Sequence, residues 1–568
     1  MQSLVNEARR AQLHGFSQTE FDRGIQFWQA QIASNKQSVS ELTRSDLISS
    51  YVGNFETGDD LYSPAETLDL MAEMLGNLTL EQVNGYMSGI IGPDNVNISI
   101  SGPHIAGYAY PNAEQVAQQF LNSINSAPEA LSDTTVSRPL MTKLPKSGNI
   151  VKQTNDDNIT LLKLSNGAVV LLRPTDCKTD EIVFKAFSYG GYNACGTEHS
   201  IAARAMSAVI EASGLGGLSY IETEKAILNK DVNLSFNINH NTEGFAGKSG
   251  KKDLPTLMQL LYLYFTEVTK DTASFNATIV NMKSGLLQAN NNPDEIFNDS
   301  TTSTLRGDYI FSKPLSAADV DKIDYDEVLQ LYRQRVANPA DFIFTLVGSF
   351  NLDTAITLVK QYIAAIPKGN GIESVGGPIP FRNGEYENRF SLPMSTVKSK
   401  VDCIFAGHMP LTTNNMASME LLQSALDVML NEHMREASKG TYGVDVSCGI
   451  TEAGEQWSVR YQFDTNNAQR EQLIAEADSI VNQVLTSGIS AELFDKIHNL
   501  QLTNYYFAIA DNDYWTFDLY MLGQHGIDYN EEYHDFIVSS NLSDFNKFVT
   551  SLKQDSHLLT VMQGVAKR

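Results

Sequence analysis

Gly488-Ile489-Ser490-Ala491-Glu492-Leu493-Phe494-Asp495-Lys496 repeats the pattern of Gly15-Phe16-Ser17-Gln18-Thr19-Glu20-Phe21-Asp22-Arg23: a glycine, a serine placed to cap a helix, then an acid after phenylalanine and a base. A second pattern occurs three times, as Leu78-Thr79-Leu80-Glu81-Gln82-Val83, Ile323-Asp324-Tyr325-Asp326-Glu327-Val328 and Leu542-Ser543-Asp544-Phe545-Asn546-Lys547-Phe548. Each copy opens a capped helix that leads toward a β segment, at residues 96–101, 342–347 and 558–562. After the first two, a further helix is predicted at residues 113–120 and 352–363. Self-similarity of this kind marks homologous units. Three copies of one domain ending predict three homologous domains, the first of which starts late in its own sequence.

Working outward, two Pro/Gly-rich stretches read as linkers, residues 126–155 and 367–388. They divide the chain into the C-terminal part of one domain (1–125), a whole domain (156–366) and a second whole domain (389–568). In the middle block, residues 160–164 and 168–172 flank Ser165-Asn166-Gly167, a hairpin signal in which Asn-Gly suits a type I′ turn. Strands follow at 182–189 and 232–238, and Asp253-Leu254-Pro255 places a cap and an early proline before an apolar helix. The last block repeats the mix, with strands at 401–406, 442–450 and 457–463 and a helix at 416–435. The predicted fold class is α+β: repeated domains, each an antiparallel sheet with helices packed on it.

The length of 568 residues suits three or four domains, and 42% hydrophobic residues supply several cores. A net charge of −26 repels phosphate, so nucleic acid and anionic membrane surfaces are excluded as partners. No apolar run is long enough to span a membrane. The opening residues 1–10 are helical and polar, without the apolar core of a signal peptide, and look like the inside of a domain. Cys177, Cys195, Cys403 and Cys448 lie far apart and read as ordinary buried thiols.

Chemical motifs are sparse. A helical zinc site needs two imidazoles one turn apart with a glutamate beside them, and neither H-E-x-x-H nor H-x-x-E-H occurs. His433-Met434-Arg435-Glu436 and His240-Asn241-Thr242-Glu243 each lack the second histidine and read as surface or interface histidines. Gly247-Lys248-Ser249 reads as a hairpin turn rather than a phosphate loop, and there is no G-x-S-x-G elbow. One pair survives. Arg435 and Tyr442 flank a helix-to-strand turn at Lys439-Gly440, where a phenol and a guanidinium can converge on a developing oxyanion. On spacing alone, Arg435 can equally offset the helix C-terminal dipole with Tyr442 packed under it.

The two whole blocks, Leu164-Ser165-Asn166-Gly167, Phe187-Ser188-Tyr189-Gly190-Gly191 and Met434-Arg435-Glu436-Ala437-Ser438-Lys439-Gly440-Thr441-Tyr442 resemble the insulinase/pitrilysin family of zinc peptidases. The resemblance covers nearly the whole chain. It implies a clamshell of four homologous domains, two per half, around a chamber in which unfolded peptides are cut. Three of the four are expected here, with H-x-x-E-H in the absent first domain. At the place equivalent to the family's zinc helix, residues 200–211 hold no histidine, and His199 before them has no partner, so no zinc role is carried over. Arg435 through Tyr442 does match the family's R-x6-Y substrate-binding pair.

The resemblance therefore implies a C-terminal, non-zinc-binding portion of a zinc metalloendopeptidase. No catalytic or metal residue is expected in this chain, Arg435 and Tyr442 are its substrate-binding pair, and the zinc of the complete enzyme comes with the missing domain. The expected partners are a zinc-bearing N-terminal half and an unfolded peptide, and the family allows a periplasmic or cell-envelope location. The alternative is a non-catalytic peptide-binding or scaffold subunit that partners an active peptidase subunit.

Overall fold

The computed structural model describes residues 2–42, 44–58, 60–92, 96–100, 109–130, 138–156, 158–369, 379, 381–437, 441–451 and 455–566. Two large sheets organise it. The first contains β1 (Ile150–Asp156), β2 (Ile159–Leu164), β3 (Val169–Pro174), β4 (Ile182–Tyr189), β5 (Val232–Ile238), β6 (Thr242–Ser249) and β7 (Ile343–Gly348), in the order β1-β2-β3-β7-β4-β6-β5. The second contains β8 (Gly384–Met394), β9 (Ser399–His408), β10 (Asp445–Thr451), β11 (Gln456–Thr465) and β12 (Gln554–Ala566), in the order β8-β12-β9-β11-β10.

Five strands of each sheet follow one plan. β3 runs parallel to β7 as β8 runs parallel to β12. The antiparallel series β7-β4-β6-β5 then matches β12-β9-β11-β10. The α+β repeat predicted from sequence is thus present as a repeated topology, with β1 and β2 added at one edge of the first sheet.

Alternation explains the strands and amphipathy explains the helices. Along β4, Ile182, Phe184 and Ala186 enter a core with Phe236, Phe344, Val209, Leu257 and Tyr332. In the second unit Phe405, Trp457 and Tyr461 meet Leu422, Leu426, Val481 and Phe545.

After β6 come the helices Leu254–Thr266, Thr272–Ala289, Pro293–Arg306 and Tyr325–Arg335, with the single turn Ala317–Val320 between the last two. After β11 come Arg470–Ser487, Ala491–Ala508, Asn512–His525, Tyr529–Ser539 and Leu542–Ser551. The third helix of each series lies across the other unit's sheet. From Asn512–His525, Leu519 is buried with Leu171 and Val347, and Tyr520 meets the Phe187 ring edge-on at 4.2 Å. Arg173 stacks 3.7 Å from the Trp515 ring centre. In return, Phe297 of Pro293–Arg306 is buried with Met394 and Met562, and Lys400 pairs with Asp294 at 2.8 Å.

The first block repeats the helical series as Gln2–His14, Gln18–Ser38, Arg44–Thr57, Pro64–Asn77 and Leu80–Met87. The nine-residue repeat has a shared physical cause. Gly15 (φ 65°) and Gly488 (φ 73°) take the left-handed conformation, and Ser17 and Ser490 cap the helices that follow. One asparagine grips each turn. Asn84 Oδ1 accepts from Phe16 N (2.7 Å) and its Nδ2 donates to Phe16 O (3.2 Å); Asn546 does the same to Ile489 at 2.9 and 3.1 Å.

Several expectations need correction. Residues 96–100 form no strand, and Ser101 lies outside the described residues. Among the described residues no neighbouring strand offers them a ladder, so Val96, Ile98 and Ile100 stay exposed. Asn166 is not at positive φ, and only Gly167 is (95°); the Asn166 side chain instead donates to the carbonyls of Ile363 and Ile366. Asp253 precedes its helix without capping it, because its carboxylate accepts from Asp231 N and pairs with Lys230. Gly247-Lys248-Ser249 is inside β6 rather than at a turn, and Lys248 pairs with Glu181 and Asp513. Both stretches read as linkers end in strands: residues 150–155 lie in β1 and 384–388 in β8. Residues 131–137, 370–378 and 380 of those stretches lie outside the described residues.

Candidate functional site

The helix Thr413–Asn431 packs on the second core and widens into a π turn over Glu432–Ala437 that carries Arg435. The turn at Lys439-Gly440 lies outside the described residues. Asn431 ties the two sides together: its Nδ2 donates to Val444 O and its Oδ1 accepts from Val444 N, each at 3.0 Å. The side chain thus bridges helix end and strand entry. Arg435 is exposed, and Tyr442 is 100% exposed just before β10. An open cleft of about 460 Å³ borders Tyr442, lined by Phe297, Lys400, Thr441, Asp445, Gln462 and Asp464 among others. The predicted strand from Tyr442 begins only at Asp445, so the phenol sits on a loop.

β10 is an edge strand, and one of its outward donors is taken: Cys448 N donates to Gln423 Oε1 at 3.1 Å. An edge of this kind can accept an extended peptide wherever its remaining backbone groups face outward.

The helix Ser200–Glu211, where the resemblance would put a zinc helix, turns Ala202, Ala203, Ala205, Met206, Val209 and Ile210 into the core. Those residues do not fit a zinc ion. His199 at its start pairs with Glu327 at 2.6 Å. His433 pairs with Glu476 at 3.4 Å, and half-buried His240 packs against the rings of Tyr192 and Tyr309.

Glu243 has a different role. Only 2% exposed, it accepts from Arg335 Nη2 (3.1 Å) and Nε (3.3 Å), while its other oxygen accepts from Gly191 N. Phe187-Ser188-Tyr189-Gly190-Gly191 is therefore a joint. Gly191, at φ 59°, lets the backbone approach Asn239–Asn241 so closely that a Cβ would meet Asn239 O at 2.4 Å.

One grouping escaped the sequence. Cys403, read as an ordinary thiol, lies beside Asp478 and His557, with the donor atoms of all three within 4.8 Å of one another. Their sequence separations leave no local motif to find.

Comparison with known proteins agrees with this architecture. Residues 322–500 match the family profile described as the peptidase M16 inactive domain. Zinc protease PQQL-like of Arabidopsis thaliana is 21% identical over 63% of this chain and 35% of its own length. The probable zinc protease PqqL of Escherichia coli is 22% identical over 62% of this chain and 38% of its own. The chain thus spans little more than a third of these relatives in sequence. The crystal structure of the periplasmic protease PqqL from Escherichia coli superposes with a TM-score of 0.69 at 16% identity, covering 99% of this chain and 63% of that one. The repeated sheet plan, the profile match and these relatives agree: residues 322–500 match the peptidase M16 inactive domain, and the chain as a whole is similar in sequence and fold to M16 zinc proteases.

Proposed function

We propose that this chain is the portion of an M16-type endopeptidase without the catalytic zinc motif: residues 156–366 and 389–568 form one half of a peptide chamber, and residues 1–125 belong to the opposing half. One observation carries the reading. In both complete helical series the third helix covers the sheet of a companion unit, and the corresponding helix of the first block, Arg44–Thr57, has no buried residue. Its Ile48, Tyr51, Val52 and Phe55 are 58%, 55%, 47% and 88% exposed and share one helical face. That stripe is shaped for the sheet of a further unit, which in this reading bears the zinc.

In the closed chamber Tyr442 donates a hydrogen bond to the oxygen of the carbonyl being cleaved, and Arg435 adds positive charge as that oxygen becomes anionic. Both are interactions of the transition state more than of the substrate, so they act on turnover. An extended substrate adds to a sheet edge and is an unfolded peptide. The relatives that support this reading include a periplasmic protease, and we assign the assembled enzyme to the cell envelope. Among the described residues no helix is long and apolar enough to cross a membrane.

The test supplies the zinc-bearing first domain of an M16 peptidase in trans and follows a quenched unfolded peptide. Cleavage should appear only in the mixture and stop with chelator. Tyr442→Phe should then lower kcat by about a hundredfold or more with little change in KM. Unchanged turnover would remove Tyr442 from the site, and chelator-sensitive cleavage by this chain alone would overturn the assignment.

A further inference from the structure

The second sheet carries a convergence of side chains that the chamber does not use. Cys403 on β9 and Tyr461 on β11 are directly paired across the ladder, while Phe405 on β9 pairs with His557 on β12. Because side chains alternate, Cys403, Tyr461 and His557 share the face covered by the helix Arg470–Ser487. Asp478, midway along that helix, points its carboxylate at them.

The distances form a triangle. Cys403 Sγ lies 3.2 Å from His557 Nε2 and 3.7 Å from Asp478 Oδ1, and His557 Nε2 lies 3.5 Å from the same oxygen. Tetrahedral zinc with one sulfur, one nitrogen and one oxygen ligand separates its donor atoms by roughly 3.3–3.6 Å, from the usual bond lengths. Hydrogen bonds explain the cluster less well. The thiol-to-carboxylate hydrogen bond is long at 3.7 Å, and one imidazole nitrogen has a single proton or a single lone pair to share between sulfur and carboxylate. A cation at the centre engages all three.

We propose that Cys403, Asp478 and His557 form a binding site for a single divalent transition metal, zinc by its ligand set, with the fourth position open to solvent. Cysteine sulfur, imidazole and carboxylate together suit zinc and disfavour magnesium and calcium, which take oxygen ligands. Cys403 is fully buried, whereas Asp478 and His557 are 25% and 26% exposed in their side chains, so the way in lies on their side. Tyr461 donates its hydroxyl to Asp478 Oδ1 at 2.7 Å and fixes the carboxylate, the supporting role an outer residue plays at metal sites. Glu385, the register partner of His557 on β8, adds negative charge at the mouth. The Cys403 thiol gives its proton to solvent as the sulfur–metal bond forms.

This proposal stands apart from the chamber reading, since it concerns this chain alone and needs no peptide cleavage. The test treats the full chain with chelator, removes the chelator and titrates Co²⁺. One equivalent should bind with a near-ultraviolet thiolate-to-cobalt charge-transfer band, and Zn²⁺ should abolish the band. Cys403→Ser should lose the band, and Asp478→Asn, at a partly exposed position that keeps an acceptor for Tyr461, should weaken binding at least about tenfold. Absence of the band in the wild-type chain, or a band unchanged in Cys403→Ser, would overturn the site. Circular dichroism of each variant confirms folding, and a folded Asp478→Asn with wild-type affinity would equally refute the ligand set.

Discussion

Glu243 and Arg335 bury opposite charges against each other behind the Gly190-Gly191 joint. Burial holds the Glu243 carboxyl above the usual carboxylate range, while Arg335 and the Gly191 N–H pull it back. A carboxyl raised in the folded state supplies stability that is complete below its unfolded pKa and fades as pH rises through the folded value. Arg335→Met leaves the carboxylate unpaired, so it should cost about 3–5 kcal/mol near neutral pH. The cost should shrink as pH falls and the carboxyl takes up a proton. Urea unfolding at several pH values checks this, and a loss independent of pH would put the damage in packing alone. At this scale the sequence is least legible. His240-x-x-Glu243 is visible as a spacing, but the partner of Glu243 lies on a helix 92 residues later. Arg435 and Tyr442 are findable because both sit at one turn. Cys403, Asp478 and His557 come from three elements joined only by the fold.

Among the elements, those with a buried face were readable and those governed by a single side chain were not. β4 and β5 occupy the predicted residues 182–189 and 232–238, since burial imposes a period of two on them. Asp253 misled because it spends its carboxylate on a distant backbone rather than on its own helix, and Asn166 because its Nδ2 reaches distant carbonyls while its Oδ1 accepts from Ala168 N within the turn. The glycine-serine repeat was legible, but its cause was not: Asn84 and Asn546 grip their turns from the helices of the second repeat. The middle series replaces this device. Leu329 stands five residues after the cap Asp324, as Asn84 and Asn546 stand after Thr79 and Asn541. The Tyr325 hydroxyl accepts from Asp271 N there, at 3.0 Å. Asn546→Ala should leave the Ile489 N–H and C=O without their partners and cost about 1–3 kcal/mol. Chemical denaturation measures it, and a change below a few tenths would mean that water replaces the side chain.

For the whole molecule, the decisive pattern is the reciprocal crossing of Pro293–Arg306 and Asn512–His525, each lying on the companion sheet. Sequence periodicity gives a helix an apolar face without saying which sheet receives it, so this pairing could not be read in advance. Applied to the first block, the pattern makes Arg44–Thr57, in the proposed reading, the contact element for the zinc-bearing domain. Phe55→Asp should weaken that association about tenfold or more while leaving the chain's own unfolding unchanged, because the ring is already in solvent. Sedimentation or calorimetry with the zinc-bearing domain reads the first, and urea denaturation the second; undiminished association would discard the helix as the contact. The crossing also bears on how such a protein can be divided. Excising either repeat would strip one sheet of its cover and leave one helix with nothing to lie on. The smallest piece that can be inherited, duplicated or expressed intact is therefore the couple, and any hinge in the assembled enzyme has to fall between couples.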